Sequence, residues 1–136
     1  MSQANVEIAR LAYERFNSGD VDGFTELCTP DFEFHDLPDL PGSGSFNGHE
    51  GFRRWWSQLA DAFDDLRFEP RGFVDCDDRV FAENQATGLG KGSGAKVEMS
   101  FFNVWTLSEG KVTALDTFGD RAAALRAAGL EDDPRE

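Results

Sequence analysis

The chain has 136 residues, 40% hydrophobic and 29% charged, which fits one globular domain large enough to bury its own core. Thirteen basic against 26 acidic residues leave a formal net charge of −13, which repels nucleic acid and anionic membrane surfaces. Two distant cysteines, Cys28 and Cys76, a start lacking the features of a signal peptide and no bilayer-length apolar run predict free thiols and a cytoplasmic location.

Ser2 is placed to cap a first helix, in which Val6, Ala9, Tyr13 and Phe16 recur at helical spacing and form one apolar stripe. Asn17-Ser18-Gly19-Asp20 ends it, and Asp20 caps a short second helix bearing Phe24, Leu27 and Cys28, which Pro30 closes. Residues 31–36 read as a strand. Residues 37–48, with Pro38, Pro41, Gly42, Gly44 and Gly48, carry neither period and read as a long loop. A helix follows from about residue 50 to 63, with Phe52, Trp55, Trp56, Leu59 and Phe63 on one face. The remainder is mostly sheet: strands over 66–76, 79–87, 96–107 and 111–118, with Pro70 marking a bulge or an edge in the first. Asp77-Asp78, the glycine-rich run 88–94 and Ser108-Glu109-Gly110 connect them. The glycine run lacks the spacing of a phosphate loop. Asp120 caps a last helix that Gly129 ends, and 131–136 is an acidic tail. Helices first and hairpin-linked strands after predict a single α+β domain over 1–130 with an antiparallel sheet.

Strand alternation singles out polar residues on apolar faces. Phe32, Phe34 and Asp36 point one way, Glu33 and His35 the other. Asn103 is the lone polar member of the row Val97, Met99, Phe101, Asn103, Trp105 and Leu107. Alternation groups Asp116 with Val112, Ala114 and Phe118, and Asn84 with Val80, Ala82 and Ala86. A buried polar group without a partner costs about 1–3 kcal/mol, and a carboxylate in an apolar setting is made more basic by desolvation. Apolar walls with a few convergent polar groups are how small-molecule sites are built. Each residue also has a purely structural account: Asp36 as a strand-end turn residue, Asn103 as a satisfied core amide, Asp116 in an ion pair and Asn84 in a sheet ladder. His35 and His49 are far apart and no metal site is expected. No serine or cysteine lies in a nucleophile motif.

The run from Phe16 through Asn17-Ser18-Gly19-Asp20 to Phe24, then Asp31-Phe32-Glu33-Phe34-His35, resembles the start of SnoaL-like proteins of the nuclear transport factor 2-like superfamily. Gly48-His49-Glu50-Gly51, Val104-Trp105-Thr106-Leu107 with Glu109-Gly110-Lys111-Val112, and the closing Asp120-to-Leu130 segment extend the resemblance over nearly the whole chain. It implies a cone-shaped curved sheet backed by N-terminal helices, a pocket between them, and a homodimer through the sheet. In the ketosteroid isomerases of this superfamily the catalytic base falls on Asp36 and the neutral oxyanion donor near Asn103, whereas their helix tyrosine falls on Ala12, one step from Tyr13. Polyketide cyclases of the family use a carboxylate near the last strand, which matches Asp116.

The resulting expectation is an acid/base enzyme, without a cofactor, acting on an apolar carbonyl compound. Asp36, Asn103 and Asp116 would be its catalytic groups, and Tyr13, Phe34, Trp55, Trp56, Met99, Phe101, Trp105 and Phe118 its walls. The alternative is a non-catalytic binder of a small hydrophobic ligand. A third is an interaction domain whose core is filled.

Overall fold

The computed structural model of the chain describes residues 3–36 and 45–130. The cap expected at Ser2, most of the 37–48 loop and the tail at 131–136 lie outside them.

The apolar stripe of the first helix becomes the buried face of α1 (Gln3–Asn17), where Val6, Ala9, Tyr13 and Phe16 are all buried. Asp20 caps α2 (Val21–Glu26) by accepting a 2.9 Å hydrogen bond from the Gly23 amide. β1 (Cys28–His35) and the short β2 (Ser45–Asn47) lead into α3 (Gly48–Ala62). Gly48 makes that last turn with φ of +68°, a conformation other residues adopt only under strain. β3 (Phe63–Cys76), β4 (Arg79–Gly90), β5 (Lys96–Ser108) and β6 (Lys111–Phe118) form an antiparallel meander, and α4 (Arg121–Ala127) closes the fold.

The strands make one curved sheet in the order β2-β1-β6-β5-β4-β3. Its two faces are packed differently. Phe16, Phe24, Phe32, Phe34, Phe52, Trp55 and Trp105 belong to a core between the sheet and α1–α3. Phe81, Phe102, Val104, Ala124, Leu125 and Ala128 belong to a second core beneath α4. Alternation along β5 feeds both: Trp105 and Leu107 go to the first, Phe102 and Val104 to the second.

The structure departs from the sequence expectation in four places. The short helix ends at Glu26 and β1 already starts at Cys28, so Leu27 and Cys28 are not helical and Pro30 lies inside a strand. Pro30 is tolerated there because the β1–β6 register shifts between Cys28 and Glu33, leaving no ladder bond for it to break. β1 runs parallel to β6, so the sheet is not wholly antiparallel. A strand, β2, occupies Ser45–Asn47 inside the expected loop, pairing with the outer edge of β1. β3 and β4 each run further than expected, because Phe63 and Asp64 pair with Gly90 and Leu89.

Candidate functional site

A cavity of about 140 Å³ lies between the sheet and helices α1 and α3. Its walls are predominantly aromatic and aliphatic: Phe16, Phe24, Phe34, Phe52, Trp55, Leu59, Phe68, Phe101, Trp105 and Leu115. Met99, 37% exposed, stands at its rim. The ring planes of this wall are mutually braced, with Phe16 stacked on Phe68 at 4.2 Å and Trp55 edge-on to Phe34 at 4.5 Å. Such contacts fix the side chains beyond what area burial alone does.

Polar groups enter this wall at two places. One is Asp36, just past the end of β1, which lines the cavity and whose Oδ2 accepts a 2.8 Å hydrogen bond from Trp55 Nε1. The other is a fully buried cluster. Tyr13 donates its hydroxyl to Asn103 Oδ1 at 2.7 Å, and the same hydroxyl accepts from Asn84 Nδ2 and from Trp105 Nε1, each at 3.0 Å. Asn84 Nδ2 also donates to Asn103 Oδ1 at 3.0 Å. Asn103 Nδ2 donates to the Asp116 carbonyl at 3.3 Å and to Thr117 Oγ1 at 3.1 Å. Burial raises the Tyr13 phenol above its ordinary range, opposed by the hydrogen bonds from Trp105 and Asn84, so it stays protonated. Among the described residues, Asn84 Oδ1 is the buried side-chain oxygen left without a partner.

Three elements place this cluster. Tyr13 reaches in from α1, Asn84 and Asn103 lie on the adjacent strands β4 and β5, and Thr117 sits directly opposite Asn103 on β6. Tyr13, Asn103, Trp105 and Thr117 line the cavity, so the cluster forms part of its surface.

Of the residues singled out from the sequence, Asp36, Asn103, Tyr13, Phe34, Trp55, Met99, Phe101 and Trp105 line one cavity. Asp116, Trp56 and Phe118 do not. The reason for Asp116 is a bulge. Thr106 pairs with Ala114 but Leu107 pairs with Val112, which leaves Thr113 as the extra residue. One inserted residue reverses the alternation. Leu115 and Thr117 therefore face the cavity, and Asp116 lies opposite Val104 on the α4 side of the sheet. There its side chain is 33% exposed, 3.9 Å from His35 Nε2. Burial raises the Asp116 carboxyl above the ordinary 3.8, His35 opposes the rise, Glu33 adds to it and Arg79 opposes it. Phe118 pairs with Phe102 and packs on the second core. Trp56 packs against Phe16 at 4.7 Å and Phe52 at 5.6 Å, in the core behind the cavity wall. His49 Nε2 bonds the Cys28 carbonyl at 3.2 Å and His35 Nδ1 bonds Ser45 Oγ at 2.7 Å; both hold β1 to its neighbours. The sequence reading missed Thr117, Leu115, Phe24, Phe52 and Phe68 as lining residues. Helical and strand periods mark most of these as buried, but no local signal marks the bulge that turns Thr117 inward.

Among the described residues, no group of three or more histidine, cysteine or acidic side chains is placed to hold a metal ion, and no helix is long and apolar enough to cross a membrane.

A curved sheet backed by N-terminal helices, with a largely apolar cavity between them, defines the nuclear transport factor 2-like class of α+β folds. Within that class the chain belongs to the SnoaL-like domain family, whose family model matches residues 9–115. It is similar to TerC co-crystallised with polyporic acid, at 24% identity, TM-score 0.78, covering 93% of this chain and 98% of that one. It is similar to a protein of ketosteroid isomerase-like fold from Catenulispora acidiphila in complex with trimethylamine, at 14% identity, TM-score 0.75, covering 91% and 93%. It is also similar to a protein from a Jannaschia species proposed to be a SnoaL-like polyketide cyclase, at 22% identity, TM-score 0.76, covering 97% and 94%. These likenesses establish the fold. No curated protein matches the chain in sequence.

Proposed function

We propose that this protein moves a proton on a compact, uncharged carbonyl compound held in the cavity, with Asp36 as the base. The observation that carries this reading is that a carboxylate and a cluster of neutral hydrogen-bonding groups line one otherwise apolar cavity. Asp36 takes a proton from a carbon next to the carbonyl, and the bonding electrons move onto the carbonyl oxygen. Where the ligand carries a carbon–carbon double bond β,γ to the carbonyl, the protonated Asp36 returns the proton to the γ carbon: the pair on oxygen re-forms the carbonyl, the double bond shifts into conjugation, its former pair makes the new C–H bond, and the base is regenerated. Trp55 Nε1 donates to Asp36 Oδ2 and so holds the carboxylate at the cavity wall. No lysine, arginine or histidine is among the described lining residues, so the Asp36 carboxylate disfavours an anionic ligand there. The volume of about 140 Å³ suits a compact molecule built around one aromatic ring, since an apolar cavity of roughly 150 Å³ takes benzene. That TerC was co-crystallised with polyporic acid and the Catenulispora protein was obtained in complex with trimethylamine supports a small-molecule ligand for this chain.

A second reading, a binder that performs no chemistry, is favoured by one detail. Both amide protons of Asn103 are spent on the Asp116 carbonyl and on Thr117, so Asn103 does not itself offer a donor to a ligand.

Hydrogen–deuterium exchange separates the two. The probe is 2-indanone, a single aromatic ring fused to a cyclopentanone with two activated CH₂ groups, followed by proton NMR in D₂O. Wild-type protein should accelerate exchange, and Asp36→Asn should lose about 10²–10⁴-fold of that rate, the usual contribution of a positioned base. Exchange by Asp36→Asn as fast as by wild type removes Asp36 from the chemistry. Thermal stabilisation by the probe with no exchange at all favours the binder.

A further inference from the structure

We infer that Thr117 supplies the hydrogen bond that holds the ligand's carbonyl oxygen, as the open end of a one-directional relay running from Trp105 and Asn84 through Tyr13 and Asn103. This rests on the reading of the cavity as a site for a carbonyl compound.

The direction of every bond in the cluster is forced by chemistry. The Asp116 backbone carbonyl can only accept, so the Asn103 group 3.3 Å from it is the amide nitrogen, and the Asn103 oxygen points the other way, at Tyr13. Trp105 Nε1 can only donate, so the Tyr13 oxygen accepts from it. The one Tyr13 proton then goes to Asn103 Oδ1 at 2.7 Å. Asn103 in turn donates its second amide proton to Thr117 Oγ1 at 3.1 Å. Every proton of Tyr13, Asn103 and Trp105 in this cluster is now committed. The Thr117 hydroxyl has accepted a bond but has no acceptor for its own proton among the described residues, and Thr117 lines the cavity.

Two consequences follow. An oxygen that accepts a hydrogen bond becomes a better donor through its own proton, and along a chain of such bonds the polarisation accumulates. Thr117 is therefore a stronger donor than an isolated threonine. Second, a donor proton in an apolar cavity without an acceptor is costly, so a ligand that brings an oxygen to Thr117 is favoured over an apolar isostere. The ligand class is thereby narrowed to compounds with a lone acceptor oxygen that meets Thr117, and with the reacting C–H toward Asp36. Tyr13 and Asn103 act through Thr117 as positioning residues.

The test uses bound 2-indanone and reads its carbonyl stretch by difference infrared spectroscopy. The measurement is made in wild type and in Asp36→Asn, so that it does not depend on turnover. The stretch should fall below its value in a hydrocarbon solvent in both proteins. Thr117→Val, which keeps the shape and removes the hydroxyl, should lose that shift and slow deuterium exchange by about 10²-fold, the usual cost of removing one oxyanion donor. Thr117→Ser keeps the hydroxyl and should recover the shift and most of the rate. A wild-type spectrum with no lowered stretch overturns the inference without any variant. So does a shift that survives in Thr117→Val. An intact shift in Asp36→Asn with exchange unaffected by that substitution leaves Thr117 in place and overturns the assignment of Asp36 instead. Failure of 2-indanone to bind wild type overturns both.

Discussion

Tyr13→Phe is the perturbation whose cost the structure specifies most closely. It removes one oxygen and changes nothing else in shape. That oxygen takes part in three hydrogen bonds, at 2.7, 3.0 and 3.0 Å. Asn103 Oδ1 keeps its bond from Asn84, so it remains satisfied. Trp105 Nε1 and one of the Asn84 amide protons lose their acceptor, and both residues are 1% exposed, so water does not replace it. Each stranded buried donor costs about 1–3 kcal/mol, partly offset because the phenylalanine no longer has a hydroxyl to desolvate. The expected loss of stability is roughly 2–4 kcal/mol. For a domain of this size it lowers Tm by roughly 6–12 °C. Urea unfolding followed by tryptophan fluorescence and circular dichroism gives the free energy directly. The double variant Tyr13→Phe with Trp105→Phe should cost less than the sum of the single changes, because it also removes one of the stranded donors. A loss below about 0.5 kcal/mol for Tyr13→Phe, or strict additivity in the double variant, would refute the bonding scheme.

Two further substitutions probe the edges of the account. Trp55→Phe keeps the aromatic wall but removes the donor to Asp36 Oδ2, so exchange of 2-indanone should slow by about 10-fold with little change in the concentration needed to saturate it; a change in saturation alone would make Trp55 only a wall. Asp116 has a raised carboxyl pKa in the folded protein, so the native state binds its proton more tightly than the unfolded chain. Stability from this group is fully present below the ordinary value of 3.8 and is lost as pH rises through the raised one. Asp116→Asn should flatten the stability–pH curve in that window and leave exchange within about 3-fold of wild type, because the side chain faces away from the cavity. A loss of exchange comparable with that of Asp36→Asn would show that Asp116 reaches the ligand after all.

Much of this was legible in the sequence, for physical reasons that differ by element. The helical stripe of Val6, Ala9, Tyr13 and Phe16 is the buried face of α1, and the strand row Val97, Met99, Phe101, Asn103 and Trp105 lines the cavity, so both periods survive in the sequence. Asp36 follows Phe32 and Phe34 at the strand period, and it lines the cavity. Asp116 and Thr117 were not legible. Their facing depends on Thr113 being inserted against the β5 partner, a property of pairing between two strands that neither strand announces. Strict alternation from Val112 then assigns every later residue of β6 to the wrong face. The parallel β1–β6 pairing was hidden for a related reason: it joins segments more than 75 residues apart, and hairpin signals report only neighbours in sequence. Trp56 and Trp55 are adjacent on one amphipathic helix, and periodicity alone does not say which ring meets the cavity and which meets Phe16 behind it.

The central claim is that a carbonyl compound lies in the cavity with its oxygen on Thr117 and its acidic carbon at Asp36. The most direct measurement is a crystal structure of Asp36→Asn soaked with 2-indanone, since the substitution keeps the shape of the site and halts turnover. The account predicts the ketone oxygen within hydrogen-bonding distance of Thr117 Oγ1 and a CH₂ group against residue 36, with Trp55 and Phe34 flanking the ring. A ketone bound with its oxygen toward residue 36 and its aromatic ring against Thr117, or bound outside this cavity, would contradict it.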